Sequence, residues 1–217
     1  MSKINIKSKN KLVLNWKDER KSVRYNYAIK IMEQTVQNIY NKSSSELIWL
    51  LEHPSIYTCG TSYKKSDIIN ITEVPIIETG RGGQITYHGP GQRIIYVMLN
   101  LNKRHKDIKR YVKCLESWMI ESLKKIGLDS YTSKERIGIW VNTPKGEAKI
   151  GAIGIRISRW VTYHGISINI NPDLSYYKNI IACGLKEFPV TSLKELGFNI
   201  NSNEFDKIIK KTAKNYF

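Results

Sequence analysis

Apolar residues recur at helical spacing at Ala28, Ile31, Met32, Val36 and Ile39, so the pattern predicts a helix over residues 24–40. The polar stretch 41–45 reads as the loop that follows it. The run 46–51 then predicts a buried strand, closed by His53-Pro54 because proline cannot continue an interior ladder. Residues 94–101 alternate and are rich in β-branched side chains, which predicts a second strand. The strongest helical pattern spans 107–126 and places Ile108, Val112, Leu115, Met119, Ser122 and Ile126 on one face. Asp107 is placed to cap its start and Gly127 its end. Segments 137–141, 149–157 and 161–170 follow as a run of antiparallel strands, and a last amphipathic helix covers 203–216. Strands and helices thus alternate irregularly. The expected fold is α/β of the α+β type, a mixed, largely antiparallel sheet with packed helices and not a doubly wound parallel sheet. No repeat or long linker interrupts the 217 residues, so a single domain, 1–217, is expected.

Bulk properties narrow the function classes. No apolar run approaches the roughly 18 residues of a membrane span, and the basic residues 1–10 lead into no apolar signal core, so neither membrane nor secretory targeting is expected. Cys59, Cys114 and Cys183 are far apart and form no C-x-x-C, which argues against a disulfide framework or a zinc site and for a reducing compartment, the cytoplasm. The formal net charge of +16 has two readings: a basic face for an acidic partner, or a lysine-rich surface set by biased composition. No RNP, zinc-finger or helix-turn-helix signature localises that charge, so nucleic acid is not an expected partner.

Four segments carry chemistry. The stretch 80–92, Gly-Arg-Gly-Gly-Gln-Ile-Thr-Tyr-His-Gly-Pro-Gly-Gln, is glycine-dense in a way that suits close backbone approach to a ligand, with Arg81 for an anionic group or carbonyl and His88 for proton transfer. The plainer alternative is an ordinary glycine-rich hairpin, less favoured because loops that combine Gly, Arg and His are often functional; the stretch is neither a Walker A loop nor a dinucleotide fingerprint. The strand 149–157 opens on Lys149 and contains Gly151 and Gly154, which weaken a strand unless something needs the space. His164 sits in an alternating strand, where a histidine is more often structural than catalytic. Cys183 precedes Gly184 in a loop, where a lone cysteine is usually an inert small hydrophobe.

In this order the four segments resemble the lipoyl(octanoyl) transferase family, whose pattern runs R-G-G-x-x-T-Y-H-G-P-G-Q, then K-I-x-A-x-G-[hydrophobic]-R, then H-G-[hydrophobic]-x-x-N, then C-G. The resemblance covers the chain from about Leu12 onward and implies a fold like the biotin and lipoate protein ligases. It implies Cys183 as the acyl-thioester nucleophile and Lys149 as its activating partner. It also implies three substrate-binding segments: Arg81, Gly82, Gly83, Gln84, Ile85, Thr86, Tyr87 and His88; Ala152, Ile153 and Gly154; and His164, Gly165, Ile166 and Ser167. The implied reaction moves an octanoyl group from octanoyl-acyl carrier protein to a lysine of a lipoyl domain, in the 2-oxoacid dehydrogenases or the glycine cleavage H protein. It needs no cofactor and no metal, since the donor is already a thioester. The competing reading is an ATP-dependent lipoate or biotin ligase of the same fold, which needs no cysteine.

Overall fold

A computed structural model describes residues 4–7, 13–184 and 188–217, with Cys183 described by its backbone alone. The strands are β1 (Leu14–Asp18), β2 (Glu46–Leu51), β3 (Ile56–Cys59), β4 (Ile76–Glu78), β5 (Ile85–His88), β6 (Gln92–Met98), β7 (Ile139–Thr143), β8 (Gly146–Ser158) and β9 (Val161–Asn169). The helices are α1 (Tyr25–Tyr40), α2 (Ile108–Lys124) and α3 (Ser202–Ala213). None of them is long and apolar enough to cross a membrane.

Six strands form one sheet in the order β1-β2-β6-β9-β8-β7, antiparallel except for the β1–β2 pair, which α1 joins as a crossover. The expected mixed, largely antiparallel sheet is thus present. Helices cover both of its faces. Trp49 and Leu51 of β2 and Ile94, Tyr96 and Met98 of β6 pack with Ala28, Met32, Val36 and Ile39 of α1. Their alternates, Ile48, Leu50, Ile95 and Val97, pack with α2 and α3. A sheet covered on both faces accounts for the unbroken apolar run in 47–51. The buried pair Arg93–Asp206, 2.6 Å apart, ties β6 to α3.

The structure departs from the sequence pattern in three places. In α2 the buried face runs through Tyr111, Leu115, Trp118 and Ser122, while Ile108 is exposed and Val112 and Ile126 are half-buried. The large aromatic residues and the contact with α3, where Trp118 Nε1 donates to Ile209 O, rotate the face by about half a residue's step, roughly 50°. The Asp107 cap is present, accepting from Arg110 N at 2.9 Å, and beyond the helix Leu128 N donates to Leu123 O across Gly127. Stretch 80–92 is not a hairpin. β5 belongs to a second, three-stranded sheet in the order β4-β3-β5, and the chain crosses to the large sheet at β6. Finally, strand β9 is not regular, because His164 has φ +58°, in the left-handed region that β-strand residues avoid.

Candidate active site

The glycine-rich loop, β8 and β9 enclose a cavity of about 500 Å³, within the range of small-molecule sites. The local sequence brings these walls together. Arg81 is buried, and its Nη2 donates to Thr58 O at 2.5 Å and Thr58 Oγ1 at 2.7 Å, pinning the loop to β3. Gly82 N donates to Ile155 O at 2.8 Å, pinning the same loop to β8. A methyl group at Gly154 would stand 3.1 Å from both Arg81 Cδ and Gly82 O, so glycine there lets the walls touch. Arg81 therefore works as an anchor of the wall as well as a member of it.

Most of the residues singled out in the sequence line this space. From the loop and β5 come Arg81, Gly82, Gly83, Gln84, Thr86 and His88. From β8 come Lys149, Ala152, Ile153 and Gly154, and from β9 His164, Gly165, Ile166 and Ser167. Ile85 and Tyr87 do not line it. Strand alternation turns them into the core of the small sheet with Tyr57, Cys59 and Ile180.

One end of the cavity is a cluster of buried aromatic and imidazole rings that the sequence motifs show only in part. Tyr25, His88, Tyr96 and His164 line it, and His53 stands behind them with its ring 6.0 Å from that of His88. His53 Nδ1 lies 2.5 Å from Val23 O, which can only accept, so Nδ1 carries the proton and Nε2 accepts from Tyr96 Oη at 2.7 Å. Burial, above all, lowers the His53 imidazole to about 4. Burial lowers His88 to about 3, with the neighbouring His53 and Arg81 adding to it. His164 falls to about 3 through burial and then the Arg81 and Arg156 charges. All three are neutral near pH 7, which sets His88 apart from a proton-transfer group poised at that pH.

The other end holds Lys149. The sequence pattern puts Lys149 at the start of a strand, where a lysine is ordinarily solvated, but β8 begins at Gly146 and Lys149, inside it, is 7% exposed. Its Nζ lies 5.4 Å from the centroid of the Trp140 ring. Its backbone N donates to Pro189 O and its carbonyl accepts from Thr191 N, both at 2.9 Å, so the segment that follows Cys183 is paired onto the lysine. Cys183 lies in the one-turn helix Ala182–Gly184, with its side chain outside the described residues. Ala182 and Lys149 share a small side pocket, and Gly184 and Lys149 share the main cavity. The Gln84 carboxamide packs directly on Gly184, and its Oε1 is buried with no hydrogen-bond partner among the described residues. Cys59 and Cys114 are buried free thiols, and burial pushes Cys114 up to about 12.

The family model described as lipoyl protein ligase A/B catalytic domain matches residues 24–214. Octanoyltransferase from Wolbachia sp. subsp. Brugia malayi is 52% identical over 200 residues, covering 92% of this chain and 97% of the relative. Octanoyltransferase from Rickettsia felis is 50% identical over 189 residues, covering 86% and 90%. Among solved structures, the bipartite lipoate protein ligase of Thermoplasma acidophilum superposes with a TM-score of 0.70 at 14% identity, over 92% of this chain and 82% of that one. The biotin protein ligase of Aquifex aeolicus gives 0.56 at 17% identity, over 93% and 69%. At such identities these two likenesses speak for the fold.

Proposed function

Because the chain belongs to the lipoyl protein ligase A/B catalytic domain family and is half identical to octanoyltransferases over most of its length, we propose that it acts as a single domain, 1–217, carrying an octanoyl group from acyl carrier protein through Cys183 to a lipoyl-domain lysine. It is a transferase by this kinship. The observation that carries the detailed reading is the pairing of the segment after Cys183 onto the backbone of buried Lys149. That arrangement brings an amine and a thiol-bearing turn to one cavity.

The chemistry runs in two balanced transfers. The resting pair in this reading is a Lys149 ammonium and a Cys183 thiolate; two unit charges about 4 Å apart would interact by about 4 kcal/mol at an effective dielectric of 20. The thiolate attacks the donor carbonyl, the new S–C bond replaces the carrier S–C bond, and the departing carrier thiolate takes the ammonium proton. The acceptor amine then attacks the acyl-cysteine, the neutral Lys149 amine takes its proton, and Cys183 leaves as thiolate. The ion pair is restored, and the product amide makes the sequence run forward. Splitting one transfer into two is the general gain of covalent catalysis.

Both tetrahedral intermediates need a donor near their oxyanion. The nearby Gly184 N–H is engaged with Ile181 O at 3.0 Å and Gly82 N–H with Ile155 O at 2.8 Å. The Gln84 carboxamide, seated on Gly184, supplies the donor in this reading. Ile94, Ile153, Ile155 and Ile166 offer the acyl chain apolar wall, worth roughly 0.8 kcal/mol per buried methylene. The neutral histidines place no charge at its far end. The donor and acceptor partners are acidic domains that the +16 charge would steer inward, and the place of action is the cytoplasm.

Incubation of the protein with octanoyl carrier protein and a lipoyl domain, with no ATP, tests the reading. Octanoylated lipoyl domain is the expected product. Turnover only with free octanoate and ATP would assign the chain to the ligases instead.

A further inference from the structure

Helix α2 buries a carboxylate behind Gly138, on which Lys149 packs, and none of the four motifs contains it. Glu116 is 7% exposed, on the apolar face of a helix, where a carboxylate is seldom buried without a purpose. Its Oε1 accepts a long hydrogen bond, 3.4 Å, from Gly138 N. The other side of the same residue bears on Lys149: a methyl group on Gly138 would stand 2.5 Å from Lys149 Cε and 3.0 Å from Nζ. Gly138 is thus held between the carboxylate of Glu116 and the ammonium end of Lys149.

We propose that Glu116 is the positioning residue for Lys149, fixing the backbone on which its amine rests and placing a buried negative charge behind that backbone. This rests on the acyl-transfer reading above. The groups facing Glu116 are Lys113 from its own helix, the Gly138 amide ahead of β7, and Lys149 from β8. Glu135 and Arg136 line the same cavity, and the Trp140 ring backs the amine. Burial raises the Glu116 carboxyl above the usual carboxylate value, and the Gly138 amide and the charges of Lys113 and Lys149 offset that rise only in part.

A purely structural Glu116 would need only its acceptor for Gly138 N. Glu116→Gln keeps that acceptor and the shape, and removes the charge. The measurement is the pH profile of Cys183 acylation by octanoyl carrier protein, followed by intact mass. Loss of a negative charge beside the pair favours the thiolate and disfavours the ammonium, so both limbs of the bell should move to lower pH by about one unit. Glu116→Asp, which keeps the charge, should leave both limbs near their wild-type positions. Superimposable wild-type and Glu116→Gln profiles would overturn the inference. Absence of acylation in the wild type would overturn the acyl-transfer reading itself, so the two failures are distinct.

Discussion

The Lys149 amine rests on the bare Cα of Gly138, a position where φ is +133° and a side chain would collide with Lys149 Cε. Gly138→Ala is therefore expected to displace the amine from the Cys183 turn. A misplacement of about 1 Å can cost a hundredfold in rate, so kcat/KM should fall by about that factor. Steady-state transfer assays check this, and a thermal melt separates it from the cost of the positive φ and of the approach to Gly151 O, 2.8 Å from the added methyl group.

Lys149 itself should show two separable roles. Lys149→Ala removes the positive charge beside the thiolate, so alkylation of Cys183 by iodoacetamide should require higher pH and acylation should slow most at neutral pH. Lys149→Arg keeps a charge but cannot take up a proton, so acyl-enzyme should accumulate while transfer to the lipoyl domain fails. Alkylation and turnover profiles unchanged in both variants would leave Lys149 with no part in the chemistry.

The three buried histidines predict a specific acid sensitivity. Their folded-state values of about 4, 3 and 3 lie below the unfolded value of about 6.5. Between these limits the unfolded chain binds more protons than the folded one. Stability is then full above about pH 6.5 and falls as pH drops through the window, by up to about 1.4 kcal/mol per unit for each histidine. Urea unfolding midpoints at pH 7 and pH 5 measure it, and equal midpoints would mean that the rings are protonated in place.

Long elements with one dominant pattern were legible in the sequence. Strand β2 matches the predicted strand 46–51 residue for residue, and its apolar run 47–51 is unbroken because both its faces are covered. The small sheet was not legible, because β3, β4 and β5 have only three or four residues each, too short for a periodic pattern to stand out. At the site, the motifs located Lys149 and most of the wall. They did not distinguish Thr86 and His88, which face the cavity, from Ile85 and Tyr87, which face away. That distinction needed β5 to be known as a strand. Tyr25, His53, Tyr96 and Glu116 come from elements outside the four segments, and only folding brings them to the cavity. His53 had one signal, a polar residue at the end of a fully buried strand.

If the +16 charge steers acidic partners, association should weaken as salt rises. Screening acts over about 8 Å at physiological ionic strength, so the Michaelis constant for octanoyl carrier protein should climb several-fold between low salt and about 0.5 M, with kcat little changed. A constant that is flat over this range would show the charge to be incidental to docking.

The acyl-enzyme is the centre of the account, and intact-mass analysis after mixing the protein with octanoyl carrier protein alone tests it most directly. The account predicts one octanoyl adduct per chain, formed without ATP, mapped to Cys183, removed by hydroxylamine and absent in Cys183→Ala. Labelling of Cys183→Ala at the wild-type rate, or no adduct on a wild-type protein that still octanoylates a lipoyl domain, would contradict it.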